Sequence, residues 1–231
     1  MSEKKPIIIV IEGLIASGKS VLLEVLLEFL SKKGLRVTIV KEPVDKWKAS
    51  GLLERFYKDP ARWGYHFQTK AFHDRVVENI EMFEKYGKTS DVFILERSPF
   101  SDTLFMKMLR EGGYVDDLEM TDYNEWWSLW YKVMPYEPDL FVYLKPDLEV
   151  CMDRLKERGR NGEKGVSVEY QMKLQEKHDE YLGKNMVEIS KGHFVPCVTI
   201  KTNANYRDFL GEKVKIAEIF EGFVKKLLEK K

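Results

Sequence analysis

Short runs of apolar, mostly β-branched residues alternate along the chain with longer stretches whose apolar residues recur at helical spacing. The first run, Ile7 to Ile11, is apolar throughout, which is typical of a strand covered on both faces of a sheet. Further strands are predicted at Leu35 to Val40, Val92 to Leu95, Leu140 to Leu144 and Val195 to Ile200. Helices are predicted at 45–58, 62–86, 99–111, 121–134, 147–158, 168–190 and 207–230. The pattern predicts an α/β fold with five parallel strands and helices on both faces.

Nothing in the composition divides the chain, so we expect one domain over residues 1–231. Lys+Arg and Asp+Glu both number 38, which leaves no overall positive charge for a nucleic-acid polymer or an anionic membrane. The apolar run at Ile7 is too short for a membrane span or a signal segment, and we expect a cytoplasmic protein. The two cysteines, Cys151 and Cys197, are expected to be buried thiols in a reducing compartment.

The segment from Gly13 to Ser20 reads G-L-I-A-S-G-K-S and matches the phosphate-binding pattern G-x-x-x-x-G-K-[ST]. It lies between the first strand and an amphipathic helix, where backbone N–H groups and the helix N-terminus can cradle a phosphate. The expected cradle residues are Gly13, Ala16, Ser17, Gly18, Lys19 and Ser20. Lys19 would reach the outer phosphates and Ser20 would hold Mg²⁺. The alternative is a glycine turn before a helix with an incidental Lys-Ser pair.

A phosphate cradle alone does not identify the reaction. A GTPase would need an N-K-x-D motif, which is absent, and the single D-x-x-G, Asp208 to Gly211, follows the last strand. Glu42 follows the second strand at the carboxyl edge of the sheet, where open α/β folds bind ligands. A carboxylate there can take the proton of a hydroxyl acceptor. Alternatively, Glu42 is only an acid favoured at a helix start.

The sequence E-R-S-P at 96–99 follows the third strand at the same edge. Ser98 and Pro99 suit an N-cap and the first turn of the next helix. Glu96 is placed to hold the water shell of a metal, and Arg97 to neutralise the acceptor oxygen or the transferred phosphoryl group.

Three arginines, Arg154, Arg158 and Arg160, precede or lie within a glycine-rich stretch, Gly159 to Gly165, that is predicted to be a mobile surface loop. Arg154 and Arg158 are four residues apart and share a helix face. Such a lid can close positive charge over a phosphate chain. The alternative is a solvated helix C-terminus that favours cations.

In the order of these motifs the chain resembles the deoxynucleoside kinase family, and within it the deoxycytidine and deoxyguanosine kinases. The resemblance covers the phosphate cradle, K-E-P-V-D-K-W at 41–47, Y-K-D-P at 57–60, F-Q at 67–68, E-R-S at 96–98 and R-G-R-N-x-E at 158–163. It implies a P-loop kinase fold with an arginine-bearing lid loop, and a homodimer. It also implies transfer of the γ-phosphate of ATP, with Mg²⁺, to the 5′-hydroxyl of a deoxynucleoside.

The resemblance implies roles for individual residues. Glu42 would be the general base, with Arg97 on the same hydroxyl, and the lid arginines Arg158 and Arg160 would assist transfer. Tyr57 and Glu163 would hold the sugar 3′-hydroxyl. Gln68 would read the base edge, with Trp47, Phe67 and Phe72 as aromatic walls, although a core helix also explains the pattern at Phe72. Tyr206 falls where the family contacts the donor base, although packing on the sheet explains it equally well.

Arg75 lies seven residues after Gln68, two helical turns along one face, and Asp102 follows the third strand. If the two residues meet near the base, Asp102 can accept from an exocyclic amino group and the pair fills the space of a thymine methyl. Relatives similar to deoxycytidine and deoxyguanosine kinases carry this pair. The sequence therefore predicts deoxycytidine and purine deoxynucleosides over thymidine. The alternative pairs Arg75 with Glu78 at the surface and leaves Asp102 as a first-turn acid.

Two other function classes stay open on the sequence. A nucleoside monophosphate kinase shares the phosphate cradle and the lid, but it has less use for a base at Glu42. A nucleotide-binding protein without turnover has no need of a proton acceptor at all.

Overall fold

The computed structural model of this protein describes residues 5–159, 163, 165–201, 203 and 210–229. The strands in these ranges are β1 Ile7–Gly13, β2 Val37–Val40, β3 Val92–Glu96, β4 Leu140–Leu144, β5 Met186–Ser190 and β6 His193–Ile200. The helices are α1 Lys19–Lys32, α2 Val44–Ala49, α3 Leu52–Lys58, α4 Pro60–Tyr86, α5 Thr103–Glu111, α6 Asp117–Val133, α7 Leu148–Arg158, α8 Val168–Leu182 and α9 Leu210–Leu228.

The strands form one sheet in the order β2-β3-β1-β4-β6-β5. Strands β1, β2, β3, β4 and β6 are parallel, as predicted, and β1 lies in the interior with every residue buried. The described strands number six, and not five, because β5 adds an antiparallel edge to β6. The α/β class is thus confirmed, and the strand count was one too low.

The predicted helix over 168–190 was wrong in its last part. The helix α8 ends at Leu182, and residues 186–190 form β5 instead. Val187 and Ile189 point into the core whereas Met186 and Glu188 are exposed, which is the two-residue alternation of a half-buried strand. This short alternation follows directly on a helical pattern, so the helical period obscured it.

Two other predicted helices begin or divide differently. The helix over 45–58 is two helices, α2 and α3, because Gly51 adopts a left-handed backbone with φ 70° between them. The helix over 99–111 begins only at Thr103, so Ser98 and Pro99 are not its N-cap and first turn. The other predicted helices and strands are confirmed, with ends that shift by four residues at most.

The sheet separates two apolar layers. On one face β1, β3 and β4 pack against α1 and α9, through buried residues such as Leu26 and Phe220. The other face carries Phe93, Phe141 and Tyr143. In the part of the chain that the structure describes, no helix is long and apolar enough to cross a membrane.

Candidate active site

The turn between β1 and α1 has the backbone of a phosphate cradle. Gly13, Ala16 and Gly18 have φ values of 150°, 64° and 100°, all in the range that favours glycine. A Cβ atom on Gly13 would lie 2.4 Å from the carbonyl oxygen of Leu144, so β4 passes too close for any other residue. The Ser17 Oγ atom is buried and has no hydrogen-bond partner among the described residues. The turn therefore offers both a curled backbone and an unused hydroxyl.

Lys19 begins α1 and is buried. Its Nζ donates to the carbonyl oxygens of Leu14 at 2.7 Å and Gly13 at 3.2 Å. Burial, together with the positive charge of Arg97, lowers the pKa of Lys19 to about 8. The ammonium group thus lies against the predicted cradle, and a nearby anion would stabilise its charged form.

The two candidate metal residues lie in contact. Ser20 Oγ donates to Glu96 Oε1 at 2.7 Å, which joins the start of α1 to the end of β3. Within the described ranges no group of three or more His, Cys, Asp or Glu side chains is arranged as a metal site. A hydroxyl and one carboxylate fit Mg²⁺, which commonly binds one or two protein ligands and completes its shell with phosphate oxygens and water.

Glu42 lies between two guanidinium groups. Its Oε1 accepts from Arg75 Nη2 and lies 3.4 Å from Arg97 Nε. Burial by itself would raise the pKa of Glu42, but the charges of Arg75 and Arg97 outweigh it and hold the pKa below its ordinary value. Glu42 is therefore a carboxylate at neutral pH, able to accept a proton.

The base-reading candidates form one buried network. Asp102 Oδ1 accepts from Arg75 Nη1, and its Oδ2 accepts from Gln68 Nε2 at 3.1 Å and from the Tyr123 hydroxyl at 2.6 Å. Arg75 Nε has no partner within the described chain. Glu78, the alternative partner of Arg75, instead contacts Lys46. Asp102 occupies the N-cap position of α5 without capping it, because its oxygens face this network.

The aromatic candidates lie in one apolar cluster, on different sides of the polar network. Phe67 stacks on Phe56 with ring centroids 4.6 Å apart and meets Trp47 edge-on at 5.5 Å, next to the Arg75 guanidinium. Phe72 packs against Tyr123 in the apolar interior. Trp47 and Phe67 thus adjoin the network at Arg75, and Phe72 adjoins it at Tyr123, within the same apolar cluster.

Tyr57 and Glu163, the residues predicted to hold the sugar, lie near each other because the chain after α7 passes next to α3. Gly165 passes so close to Tyr57 that a Cβ atom on it would lie 2.6 Å from the Tyr57 Cβ. Glu163 accepts from Arg158 Nη2 and adds negative charge near Tyr57. Burial, Tyr170 and Glu163 all raise the pKa of Tyr57, so its hydroxyl keeps its proton.

Two arginines of helix α7 lie beside the phosphate cradle. Arg154 donates from Nη1 to the carbonyl of Ser17 at 3.2 Å and from Nη2 to the carbonyl of Asn203 at 3.1 Å. Arg158 has a buried Nε without a partner among the described residues. The two remaining predicted donor contacts, Arg160 and Tyr206, lie outside the described residues.

A cavity of about 580 Å³ opens over the donor and transfer residues, and the base-reading residues do not line it. Its lining includes the cradle and the candidate transfer residues Glu42, Glu96, Arg97, Arg154, Arg158 and Glu163. The base-reading residues Gln68, Arg75 and Asp102 are exposed by only 2%, 5% and 1%. The cavity thus has a volume suited to a small organic ligand, with a cationic and hydrogen-bonding wall.

Sequence reasoning missed several polar residues of the site. Glu12, on β1, is fully buried, and its oxygens accept from Arg97 and Ser101. His178, on α8, is also fully buried and faces Arg97. Tyr123 binds Asp102 from α6. A signal existed for Glu12, since it is a charged residue inside an apolar strand, but none for His178 or Tyr123.

Comparisons with known proteins all identify deoxynucleoside kinases as the similar proteins. A family model described as deoxynucleoside kinase matches residues 9–229. The chain is 34% identical over 218 residues to a probable deoxycytidine kinase of fowlpox virus, covering 94% of this chain and 88% of the relative. It is 30% identical over 235 residues to the deoxycytidine kinase of Homo sapiens, covering 89% and 88%. It is 31% identical over 201 residues to a mitochondrial deoxyguanosine kinase of Xenopus laevis, covering 78% and 74%.

Proposed function

Because the chain belongs to the deoxynucleoside kinase family, we propose that it phosphorylates deoxycytidine and purine deoxynucleosides in preference to thymidine, with ATP and Mg²⁺. The observation that carries the substrate preference is the buried Arg75 and Asp102 pair beside Gln68. Asp102 offers acceptor oxygens for an exocyclic amino group, which cytosine and adenine carry at the edge of the ring and thymine lacks. Relatives named deoxycytidine kinase and deoxyguanosine kinase are consistent with this preference.

In the proposed reaction Glu42 orients the 5′-hydroxyl and takes its proton as the oxygen attacks the γ-phosphorus. Arg97, whose Nε lies 3.4 Å from Glu42, neutralises the charge that develops on the phosphoryl group. Tyr57 and Glu163 position the sugar through its 3′-hydroxyl. The tyrosine ring leaves little room for a ribose 2′-hydroxyl.

On the donor side, the cradle and Lys19 bind the phosphate chain, and Arg154, Arg158 and Arg160 close positive charge over it. Ser20 and Glu96 would hold Mg²⁺, which supplies charge neutralisation at the β- and γ-phosphates when bound. The buried hydroxyl of Ser17 and the Nε of Arg158, both without protein partners in the described chain, support a polyphosphate at this place. Tyr206 would contact the donor base.

One assay tests the function. ADP release is measured with each of the four common deoxynucleosides and with each of their monophosphates. The proposal expects turnover with deoxycytidine and with at least one purine deoxynucleoside, and poor turnover with thymidine. Turnover with the monophosphates alone would establish a nucleoside monophosphate kinase. No turnover with any acceptor would indicate a binding protein without catalysis.

We also propose that the chain is a single domain that forms a homodimer through α6. Leu118, Trp126, Leu129 and Val133 lie within about 80° of one another around this helix and are each more than half exposed. Tyr123 is the one buried residue of the helix. A second copy of the chain would cover this apolar face. A cytoplasmic location stays a prediction that accords with two buried, free cysteines.

A further inference from the structure

Arg97 contacts several groups, on the side of its guanidinium away from Glu42, that have no part in the proposed reaction. It follows β3 with a left-handed backbone, φ 62°, and its own N–H donates to the carbonyl of Ile11 at 3.0 Å. Its Nη1 donates to Glu12 Oε2 at 3.2 Å and lies 3.4 Å from His178 Nε2. The guanidinium also packs over the Phe105 ring at 4.7 Å. The Nε side of Arg97 is left to face Glu42.

The tautomer of His178 follows from its other neighbour. Its Nδ1 lies 2.7 Å from the carbonyl oxygen of Leu174, and a carbonyl oxygen only accepts, so Nδ1 carries the proton. The lone pair of Nε2 therefore faces the Arg97 Nη1 donor. Burial, with the charge of Arg97, lowers the pKa of His178 to about 3, which keeps the ring neutral. The ring is fixed between Tyr143, stacked at 5.7 Å, and the edge of Phe105 at 6.2 Å.

Glu12 holds the same nitrogen of Arg97 from the centre of the sheet. One of its oxygens accepts from Ser101 and the other from Arg97, and these two donors oppose the rise in the pKa of Glu12 that burial causes. It lies on β1, between β3 and β4, and its side chain is fully buried. A buried charge pair contributes little net stability over an apolar pair of the same size. The Glu12–Arg97 pair therefore fixes the position of the guanidinium group more than it stabilises the fold.

We propose that His178 and Glu12 are positioning residues, which hold the Arg97 guanidinium so that its Nε meets Glu42 and the acceptor oxygen. The inference rests on the proposed role of Arg97 at the acceptor. Arginine has a long, flexible side chain, and anchoring Nη1 on a central strand and a stacked imidazole removes that freedom before substrate binds. A displacement of about 1 Å in a transfer site lowers the rate by up to about a hundredfold.

Two amides at position 178 separate positioning from packing. The amide of His178→Gln reaches the place of Nε2 and can still accept from Arg97, whereas that of His178→Asn reaches only the place of Nδ1. We expect His178→Gln to keep kcat within about threefold and His178→Asn to lower it by about ten- to a hundredfold, with little change in KM for ATP. Tyr143→Phe, which alters a ring stacked on His178 but leaves Arg97 alone, should keep kcat within about twofold.

A double-mutant cycle and a spectrum complete the test. In an Arg97→Lys background, His178→Asn should lower kcat no further, because both changes remove one function. In protein with ¹⁵N-labelled arginine, the Arg97 side-chain signals, identified by their loss in Arg97→Lys, should move in His178→Asn and stay in place in His178→Gln.

Equal kcat values for the Gln and Asn variants, or additive losses in the cycle, would overturn the inference, as would unmoved Arg97 signals in His178→Asn. Melting temperatures of the variants show whether any of them has failed to fold. A wild-type protein without deoxynucleoside kinase activity would refute the proposed function instead. The arginine spectrum would then still decide whether His178 holds Arg97.

Discussion

Arg75 and Asp102, on two different helices and 27 residues apart in the chain, form a buried ion pair in which Asp102 has no exposed side-chain surface. The second nitrogen of the same guanidinium donates to Glu42. One arginine thus bridges the carboxylate that would read the base and the carboxylate that would take the proton. A base bound at Asp102, as proposed, would therefore be linked to the position of Glu42 through Arg75.

Replacing this pair should change which base is accepted. In the Arg75→Met, Asp102→Ala double variant the site loses both charges and gains room for a methyl group. We expect thymidine to become a substrate and deoxycytidine to lose at least about tenfold in kcat/KM, since a site built to pair polar groups discriminates strongly. Steady-state kinetics with both nucleosides measures the change. A double variant without thymidine activity, or a wild-type enzyme that already prefers thymidine, would contradict the base assignment.

The single variant Asp102→Ala serves as the control for that experiment. It leaves Gln68 and Tyr123 without their acceptor and Arg75 with only Glu42. Breaking one side of a buried pair destabilises by about 3–5 kcal/mol, whereas replacing both sides is far better tolerated. Because Arg75 keeps Glu42 as a partner, the loss should lie at the lower end of that range, and the single variant should melt at a lower temperature than the wild type.

Glu42→Gln should separate binding from turnover. The amide keeps the size of the side chain but cannot take a proton, so kcat should fall by about two to four orders of magnitude while nucleoside affinity changes little. Glu24→Gln, which alters another carboxylate of the same cavity, is the matched control and should leave kcat within about twofold. If the Glu42 variant loses less than tenfold, the acceptor hydroxyl needs no base.

Donor affinity should weaken in alkali because of Lys19. Its pKa of about 8 means that the free enzyme loses this charge as the pH rises through 8, well below the ordinary range of lysine. The dissociation constant of a non-hydrolysable ATP analogue should rise by about tenfold between pH 7 and 9.5. Lys19→Ala should bind weakly at both values and lower kcat as well. A flat profile in the wild type, together with unweakened binding by Lys19→Ala, would show that Lys19 does not contact the donor.

Acid stability should depend on His178. Its folded pKa, about 3, is below the unfolded value near 6.5, so between these values the unfolded state binds the extra proton. The stability associated with the neutral ring is complete above pH 6.5 and is lost as the pH falls towards 3. The melting temperature of the wild type should therefore fall more steeply from pH 7 to 5 than that of His178→Gln. Parallel curves would mean that His178 titrates normally.

Charge on the apolar face of α6 should separate the dimer. Trp126→Glu with Leu129→Glu places two carboxylates on the face formed with Leu118 and Val133, and light scattering should then give the mass of one chain. Phe194→Glu, at a residue of similar exposure on β6, is the control and should stay dimeric. A wild-type mass of one chain would refute the homodimer.

The sequence predicted the parts of the molecule that local pattern determines. The phosphate cradle and the central strands follow from glycine positions and unbroken apolar runs. The contact of Arg75 with Asp102 was one of two alternatives, and helical spacing from Gln68 to Arg75 supported it. In contrast, β5 was missed because five residues of alternation directly follow a helix.

The residues behind Arg97 were missed for a different reason. Glu12 directly follows the apolar run Ile7 to Ile11, yet β1 continues to Gly13 and keeps this side chain inside. His178 meets Arg97 from 81 positions along the chain, so only tertiary packing brings them together. Isolated polar residues carry no periodic signal, and their partners determine their role.

The place of β1 in the sheet has a consequence for how such an enzyme can diverge. Apart from Glu163, the side chains assigned to the acceptor come from the β2 and β3 side, whereas the donor arginines Arg154 and Arg158 come from the β4 side, with the phosphate cradle after the strand between. Residues of the β2 and β3 half that touch neither Glu42 nor Arg97, such as Gln68, can therefore change to suit a new base while the donor side stays intact. An engineer who seeks to activate a nucleoside drug can confine a mutant library to that half.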